Sequence, residues 1–516
     1  MRSCRVLGTE LIDAMFTQAG PGIAVSAFSG GSLLNNIERG QVDLESHRDI
    51  NSDTAFHVAS VSKHFTAYAI AQLIAEKKIS LDDRIGSYLP FVSEPAKGIT
   101  IGQLLFHTSG LSDQWILLSL AGWSDRDLVL TSDINRLIGR QGALKHSPGS
   151  AFSYTNTGYT LLAEIVETVV NCSLDAYLQA NTFLPAGMSH TRFKSDPSVR
   201  ADFEAECYTQ AGSKFIKTTP RFSTVGATSL QTSMADLARW ETIFMSPRDD
   251  MRELIRRKGT LAAGEPISYG FGVYHGEVGA LNTLSHSGWD ADFSSFILYI
   301  PDRRIGAAVL SNGSQMNLEL IALSFLTDFV DFGSLTEEIR IRLATMLASN
   351  SRTSRPGPLY ATRKFFGCLD SGDVRLWENT EKGQSLVGGA IQRVEKIDEG
   401  SYMLGASLST LTFEEGWLCI YSPTQNQRQK LAPLPDVSTH QEFLGPLTFF
   451  SEELQVTHTV SVVDGRMVWS RPGHEALELE QIGPALFFSG GFTLRICEDE
   501  LTISSARSAP IRFAAR

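Results

Sequence analysis

A chain of 516 residues, 42% hydrophobic and 20% charged, is long enough for two to four domains with ordinary globular cores. Its net charge of −12 comes without a basic block, which argues against nucleic acid or an anionic membrane surface as a partner. The first ten residues turn polar before a signal sequence could form, and no apolar run approaches the roughly 18 to 20 residues of a membrane helix, so the reading is a cytoplasmic protein.

Gly22 to Phe28, then Gly30-Gly31 and a second semi-apolar run, predict a strand, a tight turn and a strand. A long apolar run follows from His57 to about Ile74. Ser60, Lys63, Ala67, Ile70 and Ile74 fall three, four, three and four residues apart, so as a helix they share one face, with a hydroxyl and an ammonium at its top. Residues 100 to 200 read mostly as helix, including a short one from Ile101, the polar turn His107-Thr108-Ser109-Gly110, and a helix after Asn156. Another short helix is predicted over Ser229 to Trp240. Strands are predicted over Tyr269–Tyr274, Phe296–Ile300 and Ile305–Leu310, and a helix over Leu318–Phe332 packs back on the N-terminal strands.

Composition breaks at Ser349 to Pro358, a Ser-, Arg-, Pro- and Gly-rich stretch, and helical periodicity nearly vanishes beyond it. The expected domains are 1–340, a linker over 341–357, and two β-rich units over 358–435 and 436–516 that open on Phe365-Phe366-Gly367 and Phe443-Leu444-Gly445. Cys4, Cys172, Cys207, Cys368, Cys419 and Cys497 lie far apart with no metal-ligand spacing, so neither a metal site nor a disulfide framework is expected, and the thiols read as small buried residues. No cofactor is expected.

Three local signals carry chemistry. In Ser60-Val61-Ser62-Lys63 a partly desolvated lysine one turn from a serine can take its proton, although Ser60 or Ser62 could equally cap a helix. Tyr154-Thr155-Asn156 precedes a helix that Asn156 could cap, and His286-Ser287-Gly288 lies between predicted strands. In this order the three resemble the penicillin-recognising serine hydrolases, the superfamily of serine β-lactamases and DD-peptidases. Leu104 to Leu111, Leu184-Pro185-Ala186-Gly187-Met188, Asp236 to Trp240 and Tyr269-Gly270-Phe271-Gly272 support the likeness, which covers roughly residues 10 to 335.

The resemblance implies an α+β catalytic domain, an antiparallel sheet flanked by helices plus a helical subdomain, followed by two small antiparallel β-barrels. It implies Ser60 as the acylated nucleophile, with Lys63 and Tyr154 sharing proton transfer and His286 as a further catalytic residue. It also implies substrate binding by Asn156, Ser287, Gly288 and Trp289, with the backbone N–H groups of Ser60 and Trp289 as the oxyanion hole. His286 stands where β-lactamases and carboxypeptidases of the family carry lysine, which implies a weakened carboxylate handle and a preference for a free amine. A catalytic domain with two barrels is similar to the D-stereospecific aminopeptidases, in which a loop from the last barrel reaches the active site; the stretch matched to that loop is Ser470 to Ala476. The implied activity is hydrolysis of small amides or peptides, releasing N-terminal D-amino acids. An esterase or acyltransferase using the same acyl-enzyme stays open, as do a catalytically silent binding module and a homodimer.

Overall fold

The computed structural model describes residues 2–124, 126–211, 214–313, 318–350, 362–368, 373–380, 383–388, 390–398, 401–404, 409–415, 417–434, 446–483, 485–497 and 499–515. Its centre is a seven-stranded antiparallel sheet of β1 (Ile23–Ser29), β2 (Ser32–Arg39), β3 (Tyr269–Gly270), β4 (Val273–Val278), β5 (Leu281–Asp290), β6 (Phe293–Ile300) and β7 (Ile305–Ser311), in the order β3-β4-β5-β6-β7-β1-β2. β1 joins the two halves of the sequence: it pairs with β2 on one side and with β7 on the other, Val25 facing Ile37 and Val309. Such a central strand needs apolar residues on both faces, and Ile23 to Phe28 are all buried.

One face is covered by α1 (Cys4–Met15), α5 (Leu318–Leu326) and α6 (Ser334–Asn350), whose Leu7, Leu11, Ile321, Phe325 and Leu343 pack with Val25, Leu298 and Val309. The predicted packing of Leu318 onward against the N-terminal strands is this layer. On the other face lie α2 (Ser62–Ala75), α3 (Asn156–Val170) and α4 (Met234–Met245). α2 was expected to bury one stripe. Instead Ser62 to Leu73 are all buried, because helices and sheet enclose it, and Phe65 stacks on Trp240 at 4.1 Å.

Three local expectations need correction. The helix predicted over 229–240 starts only at Met234, because Leu230–Ser233 pairs with Ala55–His57 as a strand and Ser233 then caps α4. The strand predicted over 269–274 is broken at Phe271-Gly272, where Gly272 has φ +80° and an added Cβ would stand 2.3 Å from His64 Cα; the break lets the chain pass against the start of α2. His286 lies inside the ten-residue β5, not between strands.

The stretch expected as a linker, 341–357, is helical as far as Asn350, since Arg342, Leu343, Ala344, Met346 and Leu347 continue α6 with good helix formers; 351–357 lie outside the described residues. The β-rich C-terminal region forms an eight-stranded antiparallel sheet within 362–431 and a nine-stranded, nearly closed one within 447–515. Phe449, Trp469, Leu494 and Phe513 of the latter belong to the same apolar cluster as α2 and α3. Cys4, Cys172, Cys207, Cys419 and Cys497 are unpaired, and Cys172 and Cys497 are exposed, against the expectation of burial. No described helix is long and apolar enough to cross a membrane.

Candidate active site

Ser60 sits in a single 3₁₀ turn, Ala59–Val61, that feeds α2. Ala59 has φ +47°, a left-handed conformation that costs a non-glycine residue of order 1 kcal/mol or more, held by the packing around it. The turn leaves Ser60 half-buried and places Lys63 beneath it, fully buried. Lys63 Nζ lies 2.9 Å from Ser60 Oγ, 2.8 Å from Asn156 Oδ1 and 2.8 Å from the Ala227 carbonyl. Burial lowers its pKa to about 7, and Arg507 adds to the effect, while Asp113 and Asp290 oppose it. A lysine so placed can hold two N–H groups on the fixed acceptors and turn a lone pair toward the serine hydroxyl.

Asn156, the first residue of α3, is oriented by Asp113, whose Oδ2 accepts from its backbone N at 2.8 Å and its Nδ2 at 2.9 Å. That fixes the amide so that Oδ1 faces Lys63. The capping position belongs to Thr155, not Asn156. Asp113 itself stands at the N-cap of the helix Gln114–Leu120.

Tyr154 packs on His107 with ring centroids 4.3 Å apart, and its ring lies 5.0 Å from Lys63 Nζ. Desolvation drives its phenol well above the ordinary value, offset only in part by a hydrogen bond with Ser60 and by Arg507. Tyr154 is therefore a protonated phenol near neutral pH. His107 is fully buried, accepts at Nδ1 from Thr155 N at 3.3 Å, and is kept neutral by burial.

His286 donates from Nδ1 to the Ser287 carbonyl at 2.6 Å, which leaves Nε2 to accept from the Tyr269 hydroxyl at 3.2 Å. Desolvation and Lys63 lower its pKa to about 3, so it is neutral. Both ring nitrogens are spent in an aromatic wall with Tyr154, Tyr269 and Tyr274. Ser287 and Trp289 alternate outward along β5 and are exposed, while Gly288 is buried. A Cβ on Gly288 would lie 2.4 Å from Val58 O and 3.0 Å from Ser60 N, so β5 runs directly against the backbone of the serine turn.

The structure thus brings Ser60, Lys63, Tyr154, Asn156 and the 286–289 strand together. Sequence reasoning missed Asp113, His107 and Arg507. His107 lies in a stretch quoted for the family likeness, but Arg507 carried no local signal. It sits in the turn between the strands Glu500–Ser505 and Ser508–Ala515, with its guanidinium 5.2 Å from the Tyr154 ring. The barrel segment that reaches the site is therefore this turn. The expected stretch 470–476 packs on the turn at Gly122 and Trp123, with His474 Nε2 2.9 Å from Trp123 O. The turn Pro423–Asn426 of the eight-stranded sheet also docks, its Thr424 carbonyl accepting from Ser285 Oγ at 3.1 Å.

A cavity of about 260 Å³ opens beside His57, but its charges satisfy one another, Lys217 with Glu206 at 2.9 Å and Lys194 with Glu204 at 3.0 Å. Among the described residues no three or more His, Cys, Asp or Glu converge to hold a metal.

This fold defines a beta-lactamase-like serine hydrolase. The chain belongs to the family described as Beta-lactamase, which matches residues 9–326. A D-aminopeptidase of Cereibacter sphaeroides (strain ATCC 17029 / ATH 2.4.9) is 28% identical over 299 residues, 57% of this chain and 57% of its own. Protein flp of Staphylococcus aureus (strain COL) is 29% identical over 302 residues, 57% of this chain and 59% of its own. The chain thus matches a little over half the length of these relatives. Among solved structures, the octameric penicillin-binding protein homologue from Pyrococcus abyssi superposes with a TM-score of 0.58 at 18% identity, over 98% of this chain and 99% of that one. The D-amino acid amidase from Ochrobactrum anthropi SV3 gives a TM-score of 0.51 at 17% identity, over 68% and 99%. At these identities the structures speak for the fold alone.

Proposed function

We propose that the chain hydrolyses small amides and peptides through an acyl-enzyme on Ser60, with D-aminoacyl substrates first among them. The observation that carries this is the buried Lys63, its amine brought to about 7 and set 2.9 Å from Ser60 Oγ. In acylation Lys63 takes the Ser60 proton as Oγ attacks the carbonyl carbon, and the backbone N–H groups of Ser60 and Trp289 hold the oxyanion. The scissile C–N bond then breaks, the protonated Tyr154 supplies the proton that the leaving nitrogen needs, and Lys63 returns its proton to Tyr154. Water reverses the sequence on the ester. Asn156 keeps Lys63 in place and offers its amide to the substrate. His286, with both nitrogens engaged, acts in this scheme by positioning the wall beside Tyr154.

The D-configuration is read from the likeness to the D-aminopeptidase, and small size from the crowding of the site by Arg507. A panel of D- and L-aminoacyl amides, short peptides and short-chain esters tests the reading. D-amides and D-peptides are expected to lead in kcat/KM, and Ser60→Ala is expected to lose at least about 10⁴-fold while keeping its fold. Esters outpacing every amide in proportion to their intrinsic reactivity would make the protein an esterase or acyltransferase.

A further inference from the structure

We propose that Arg507, delivered by the second C-terminal sheet, binds a carboxylate on the leaving-group side of the substrate and so selects short peptides with a free C-terminus over the matching amides. This rests on the reading of Ser60 as nucleophile and Tyr154 as donor to the leaving nitrogen, and it names the substrate end that reading left open.

The turn that carries Arg507 is fixed by its backbone. Asp113 N donates to Arg507 O at 2.8 Å, Ala509 N to Ser112 Oγ at 3.0 Å, and Lys145 Nζ to the Ala506 carbonyl. Within the turn Arg507 N donates to Ser505 Oγ at 3.2 Å. These contacts leave the guanidinium unspent: among the described residues Arg507 has no ion pair, it is exposed, and it stands over the Tyr154 ring. Docking alone would not require an arginine there.

The surrounding charges leave a site for an anion. His286 and His107 are neutral, and Lys63 is buried under Ser60. The two carboxylates that act on Lys63 are committed, Asp113 to Asn156, and Asp290 to Thr228 Oγ1 at 2.8 Å and His57 Nε2 at 3.4 Å. Neither is free to receive a substrate amine. The cation absent at His286 is therefore supplied from the second C-terminal sheet. The position also selects the end of the substrate: Tyr154 faces the leaving nitrogen, and a residue's own carboxylate lies only roughly 3 Å from its nitrogen. A planar guanidinium can take such a carboxylate through two hydrogen bonds.

The test is protection of Ser60 from a fluorophosphonate by D-alanyl-D-alanine and by its C-terminal amide, in the full chain and in Arg507→Gln and Arg507→Lys. The expected result is that the free carboxylate protects at a concentration roughly 10- to 100-fold below the amide. That ratio should fall to near one in Arg507→Gln and stay intermediate in Arg507→Lys. Equal protection by both dipeptides in the unsubstituted protein, or an unchanged ratio in Arg507→Gln, overturns the proposal. Absence of Ser60 labelling in every form would strike the acyl-enzyme reading instead, and calorimetric binding of the same two dipeptides then decides Arg507 on the same ratio.

Discussion

Lys63 has three polar contacts and, as an ammonium, three protons to fill them, so only the neutral amine can accept from Ser60. Activity should therefore rise with pH through an apparent pKa near 7, the value to which burial brings the amine. Two substitutions should move that limb in opposite directions. Arg507 holds the pKa down, so Arg507→Gln shifts the limb to higher pH; Asp113 holds it up, so Asp113→Asn, which keeps an acceptor for Asn156, shifts it lower. Profiles of kcat/KM against pH check both signs, and a limb that moves in neither variant contradicts the assignment of Lys63. At this scale the sequence was informative wherever residues act through local motifs. Ser60 and Lys63 are one turn apart, and Tyr154 and Asn156 share a tripeptide. Asp113 meets Asn156 from 43 positions away and Ser112 meets Ala509 from 397, separations that no periodicity reveals.

The approach of β5 to the serine turn is the contact between elements on which the proposed oxyanion hole depends. Gly288→Ala would drive a methyl group into Val58 O and Ser295 Oγ, at 2.4 and 2.5 Å before relaxation. A loss of about 1 to 3 kcal/mol in stability is expected, together with a labelling rate at Ser60 reduced at least tenfold. Denaturant unfolding and probe kinetics measure the two, and normal labelling would place the second oxyanion donor elsewhere. Elements whose own residues decide their form were legible: the mostly apolar β1, and α3 with its apolar stripe. Those decided by a distant partner were not, as with Leu230–Ser233, drawn into a strand by Ala55–His57.

Across the whole molecule, the nine-stranded sheet shares an apolar cluster with the catalytic core, so its removal would expose that surface as well as remove Arg507. The composition break revealed that such β-rich units follow, but not which turn enters the site, because hairpin turns of either sheet look alike in sequence. Glu453 sits at this junction beside Gly142, and burial raises its pKa to about 7. A raised carboxyl stabilises fully below its unfolded value of about 4.3, and the contribution is lost as pH rises through about 7. Buried neutral histidines such as His286 act in the opposite sense below about pH 6.5, so the check is a difference between two melts: Glu453→Gln should gain stability relative to the unsubstituted protein as pH rises from 5 to 8. The association of the domains matters because it assembles one site around one serine. The most direct test of that account is the rate of covalent modification of Ser60 by a fluorophosphonate, followed by mass spectrometry across pH 5 to 9. The account predicts a single modified residue, Ser60, with a rate that rises through an apparent pKa near 7 and collapses in Lys63→Ala; modification at another residue, or a rate at Ser60 indifferent to Lys63, would contradict it.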